Sequence, residues 1–112
     1  MKDLEIERRI ADIEGVHYIE TKYDKNNFLA LVSENDFTGS APEMIGKYNP
    51  LTDDGLCFRL MVKYKVDVWR YLGDTHAAVA FDKANPDDIK RVRCENYNRA
   101  ICLAIISAHK DV

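Results

Sequence analysis

The sequence predicts an α+β fold, a small antiparallel sheet with helices on both faces in an α/β/α sandwich. Three observations lead there. Apolar residues recur at helical spacing in three separate stretches. Between them lie short runs of β-branched and aromatic residues, joined by turn-forming residues in pairs that read as hairpins. Strands in antiparallel pairs with helices around them define the α+β class, and three helices on one sheet most easily cover both its faces.

The first helix is expected from Leu4 to Glu14, capped by Asp3. Ile6, Ile10 and Ile13 share a face, and Glu5 stands four residues before Arg9. Gly15 is the natural terminator. Val16 to Tyr23 and Phe28 to Val32 then form a hairpin about Asp24-Lys25-Asn26-Asn27. Phe28-Leu29-Ala30-Leu31-Val32 does not alternate, so that strand should be central and buried on both faces. Ser33 to Lys47 has no sustained period and reads as a long loop. Phe37, Met44 and Ile45 are its candidate anchors, and it is either a packed surface loop or a partner-binding one.

Asn49-Pro50 then breaks the chain ahead of the central helix. Thr52 is the expected N-cap, with Asp53 and Asp54 in the first turn and Lys63 and Lys65 at the other end, matching the helix dipole. Leu56, Cys57, Leu60, Met61 and Tyr64 form one stripe, and Phe58 and Val62 widen it on the far side. A band that wide requires cover from two directions within the monomer or from another chain. Val66 to Leu72 alternates as a strand, with Asp67, Trp69 and Tyr71 on one face. Gly73-Asp74-Thr75 turns the chain, and His76 to Phe81 returns. Asp82 to Asp88 is a loop, and Ile89 to Cys94 a further strand. Asn96 caps the last helix, Tyr97 to His109. Its core stripe is Tyr97, Ile101, Ala104, Ile105 and Ala108, while Cys102, Leu103 and Ile106 lie on the opposite side.

The chain has 112 residues, 46% hydrophobic and 31% charged, the profile of one globular domain spanning 1–112. The formal net charge of -3 argues against a sequence-independent nucleic-acid binder, which needs a surplus of cations. There is no apolar run of membrane length and Met1-Lys2-Asp3 leads straight into a charged helix, so the expected compartment is the cytoplasm. The three cysteines are not in CxxC spacing and read as free thiols, with Cys57 and Cys102 in apolar helical runs.

No residue set spells out a reaction. Cys57 lies near a helix start, which lowers a thiol pKa, but Asp53 and Asp54 would raise it again and no histidine is near in sequence. His17, His76 and His109 are scattered, the aspartates are explained by capping and solvation, and no glycine-rich phosphate loop exists. The expectation is no enzyme, no metal and no cofactor. What remains is binding. Phe58, Val62, Trp69, Tyr71, Leu103 and Ile106 are the candidate protein interface, and the second apolar face of the last helix points to a homodimer. The alternative is a nucleic-acid contact at Lys90, Arg91 and Arg93, with Trp69, Arg70 and Tyr71 as stacking groups.

Three stretches carry a resemblance. They are Asp3-Leu4-Glu5-Ile6-Glu7-Arg8-Arg9-Ile10-Ala11, Tyr48-Asn49-Pro50-Leu51-Thr52-Asp53-Asp54 ahead of an apolar helix and an aromatic strand, and Asn96-Tyr97-Asn98-Arg99-Ala100-Ile101-Cys102-Leu103-Ala104. In these the chain resembles small phage and prophage proteins of the NinX-like and phage "ABA sandwich" type. The resemblance implies an α/β/α sandwich and a phage-derived accessory protein in a bacterial host, with a host or phage protein as partner. It carries over no catalytic residue.

Overall fold

The computed structural model describes residues 1–23, 26–32, 44–79 and 90–109. It is an α+β protein with three helices and two three-stranded antiparallel sheets. The strands expected in one small sheet are thus divided between two. The chain forms two compact units, Met1–Asn49 and Pro50–Val112.

The first unit opens with α1, Asp3–Glu14. Its N-cap is Lys2, with no side-chain capping bond, so Asp3 is the first helical residue rather than the cap. Asp3 and Glu5 still place carboxylates at the positive end of the dipole. Gly15 ends the helix at φ 67°, where a side chain would be strained, and the Val16 amide reaches back to the Ala11 carbonyl at 3.1 Å. Ile6, Ile10 and Ala11 are fully buried.

The chain continues into β1 (Tyr18–Tyr23) and β2 (Asn26–Val32), paired with Tyr18 opposite Leu31 and Tyr23 opposite Asn26. β2 is the central strand, and the neighbours Leu29 and Ala30 are both fully buried, so both its faces are covered as expected. The third strand is β3, Met44–Lys47, from the stretch read as loop. Its register slips by one residue between Leu31 and Val32, which leaves Ile45 without an opposite. Met44 and Ile45 are 52% and 67% exposed, so neither anchors the segment. The turn expected about residues 24–25, the part of the expected loop from 33 to 43 with Phe37, and the loop expected at 82–88 fall outside the described residues.

The second unit begins with α2, Asp54–Lys63. The cap is Asp53 rather than Thr52: Asp53 Oδ1 accepts from the Leu56 amide at 3.1 Å. β4 (Val66–Tyr71), β5 (Asp74–Val79) and β6 (Lys90–Cys94) follow in that spatial order. The β4–β5 turn is Leu72-Gly73, with φ 53° and 84°, so Asp74 and Thr75, expected in the turn, belong to β5. α3 spans Tyr97–Ala108, and Asn96 Oδ1 accepts from the Arg99 amide at 2.9 Å, the cap the sequence predicts.

The register sorts the second sheet into two faces. Val66, Thr75 and Ala77 are buried, with Val68, Val92 and Cys94 half-buried; this is the face α3 packs on. Trp69, His76 and Arg93 stand in one cross-strand row on the other.

Candidate functional site

α2 and α3 lie side by side and run parallel. Near their amino ends, Asn98 Nδ2 donates to Asp54 Oδ1 at 2.8 Å and to the Leu51 carbonyl at 3.2 Å. Further along, the Cys57 and Cys102 thiols touch, and Cys57 Sγ lies 3.8 Å from the Asn98 carbonyl. At the carboxyl ends, the Tyr64 and His109 rings meet edge to face at 5.2 Å. The pairs 54–98, 57–102 and 64–109 keep nearly constant spacing, which is the mark of a parallel seam. Both helix dipoles therefore point the same way, and Asp53 and Asp54 set carboxylates at the shared positive end.

This seam explains the apolar excess of α3. Ile101 and Ile105 are buried, and so are Cys102 and Ile106. The sheet takes one stripe and α2 takes Cys102. Ile106 is only 6% exposed and Leu103 is half-buried. These two expected interface residues therefore present no exposed patch: a second apolar stripe marks an interface only when no other element of the chain covers it.

On α2 the excess is not covered. Phe58 is 60% exposed and Val62 59%, and they stand four apart on one helix face. Tyr97, assigned from the sequence to the core stripe of α3, is 47% exposed, and its hydroxyl lies 3.9 Å from Met61 Sδ. Asp54, Phe58, Tyr97 and Asn98 line a hollow of about 460 Å³ at the amino ends of the two helices. Tyr97 and Asn98 were missed as site residues. The signal that finds them is the Asn96 cap, because a residue in the first turn of a helix sits where its flank is open.

Trp69, 39% exposed, stacks on His76 with ring centroids 5.5 Å apart and planes at 13°. His76 stands opposite Arg93, whose Nε lies 2.6 Å from Asp74 Oδ2. Arg93 is thus committed to a carboxylate. The side chains of Tyr71, Lys90 and Arg91 lie outside the described residues.

The contact with Cys102 holds the Cys57 thiol below its ordinary pKa, against burial and the Asp54 carboxylate, which push it up. The carboxylate effect expected from the sequence is present and is outweighed. Both thiols are buried, at 1% and 0% exposure, which suits packing rather than attack on a substrate. Among the described residues, no group of three or more His, Cys, Asp or Glu side chains is placed to hold a metal ion, and no helix is long and apolar enough to cross a membrane.

Comparisons with protein-family models, with curated proteins and with solved structures return no significant match to this chain.

Proposed function

We propose that this chain is a phage- or prophage-derived accessory protein that works in the bacterial cytoplasm by binding another protein. The contact is made through the surface formed by Phe58, Met61, Val62 and Tyr97. The observation that carries the reading is the exposure of Phe58, Val62 and Tyr97 along one helix seam. Large apolar side chains gathered beside a hollow are the usual makeup of an interface centre. The partner is a host factor or a phage component, and its activity is blocked by occlusion of its own surface. A two-fold dimer through the same surface is the other form of the reading.

The test is capture of partners from host lysate with and without phage infection, with the Phe58→Asp, Val62→Asp variant run alongside. A single stoichiometric protein kept by the native chain and lost by the variant supports the reading. Retention of only its own copies, lost in the variant, makes the surface a dimer seam. Equal retention by both forms overturns the reading.

A second reading, nucleic-acid binding, is favoured by the Trp69–His76 pair, since rings on an open sheet face suit unpaired bases, with Arg93 beside them and paired to Asp74. Binding that falls steeply with salt and with Arg93→Glu supports it; salt-insensitive or absent binding removes it.

A further inference from the structure

The hollow between the amino ends of α2 and α3 has the chemistry of a receptor for one cationic side chain. We propose that it takes an arginine of the partner protein, which rests on the reading above and names what that surface recognises.

Three features support this. Phe58 and Tyr97 line the hollow and are 60% and 47% exposed, so aromatic surface is available to a guest. Asp54 also lines it and brings a full negative charge. That carboxylate is held in place: Oδ1 accepts from Asn98 Nδ2, and the same nitrogen is anchored on the Leu51 carbonyl.

Asp54 meets only a neutral amide there. Among the described residues no lysine, arginine or histidine forms an ion pair with it, and its second oxygen, Oδ2, has no hydrogen-bond partner. The neighbouring Asp53 is used differently, since its carboxylate caps the Leu56 amide. A side chain on Gly55 would meet Asp53 Oδ1 at 3.5 Å and Arg59 Nη1 at 3.6 Å, so that cation sits with Asp53, and the charge lining the hollow is that of Asp54. The hollow therefore suits a cation better than an anion.

Guanidinium fits this set better than ammonium. It is planar and weakly hydrated, so it stacks on an aromatic face while its edge donates to a carboxylate. A lysine would satisfy the charge and lose the stacking. An apolar side chain would use the rings and leave Asp54 facing it.

The experiment is an NMR titration of the full chain, following the ring signals of Phe58 and Tyr97. The probes are N-acetyl-arginine methylamide and its neutral isostere, N-acetyl-citrulline methylamide. The arginine probe is expected to move both rings and to bind at least fivefold more tightly than the citrulline probe. Asp54→Asn should abolish that preference. Phe58→Leu keeps an apolar side chain but removes the ring, and should weaken arginine binding several-fold with Asp54 intact. An unchanged amide spectrum shows that each variant is folded. Equal binding of both probes overturns the cationic assignment and leaves the apolar surface standing. Rings that do not move at the highest soluble concentration overturn it too, and the Phe58→Asp, Val62→Asp capture then decides separately whether the surface binds protein.

Discussion

Asn98 holds the Asp54 carboxylate at 2.8 Å and ties α2 to α3 through the first turn of each helix. The same Nδ2 satisfies the Leu51 carbonyl at 3.2 Å, just before α2 begins. One side chain thus fixes the start of one helix against the start of the other. Asn98→Ala removes the donor that this carbonyl and this carboxylate share, and should lower stability by about 1–2 kcal/mol. Asn98→Asp should cost more, because it sets a second carboxylate against Asp54. Urea denaturation of the three proteins checks both.

Ile106 and Phe58 look alike on a helical wheel and differ in the structure, at 6% and 60% exposure. Ile106→Asp buries an unpaired carboxylate and should cost about 4 kcal/mol or more, enough to unfold a marginal domain. Phe58→Asp and Val62→Asp should each cost no more than about 1 kcal/mol, from lost partial burial and, at Val62, a carboxylate at the negative end of the helix dipole. Thermal melts of the three variants separate the buried stripe from the open one.

Leu72 occupies a left-handed conformation, φ 53°, in the two-residue β4–β5 turn, and is 82% exposed. A leucine there is strained and packs on little. Leu72→Asn followed by Gly73 gives the turn pair that favours this geometry and should raise stability by about 1 kcal/mol. An unchanged or lower melting temperature would show that the turn does not hold this conformation in solution.

Much of this architecture is legible in the residues, and the misses have physical causes. The helices, the β1–β2 and β4–β5 pairings and the Asn96 cap follow from period, turn residues and capping chemistry. Asp53 displaced Thr52 as cap because both are good caps in adjacent positions and only backbone geometry chooses between them. β3 was hidden because four residues, Met44–Lys47, with a glycine and a bulge show no alternation. The division of the strands into two sheets rests on long-range pairing that periodicity does not encode. Of the interface residues expected from sequence, Phe58, Val62 and Trp69 are exposed, while Ile106 is covered. A wheel shows which stripes are apolar; it does not show that a parallel neighbour such as α2 will lie across one of them.

The thiols should react in the order that burial dictates. Cys94, half-buried, should be modified first in the native protein, and Cys57 and Cys102 only as fast as the chain opens. The contact with Cys102 holds the Cys57 thiol below its ordinary pKa, so the folded state favours its thiolate. That contribution is present above the ordinary pKa and lost as pH falls through the depressed one. The advantage of the native protein over Cys102→Ala should therefore grow as pH rises from neutral into the mildly alkaline range, while Cys102 keeps its proton. Urea titrations at neutral and alkaline pH read this directly.

The Phe58–Tyr97 seam is the proposed surface for a partner protein. Calorimetric affinity for the captured partner, measured for the native chain, Phe58→Asp and Trp69→Ala side by side, tests it most directly. The expected loss for Phe58→Asp is at least about 30-fold, the scale of a hot-spot residue, with little change for Trp69→Ala. Full affinity in Phe58→Asp, with the loss appearing in Trp69→Ala instead, would contradict it and move the binding surface to the open face of the second sheet.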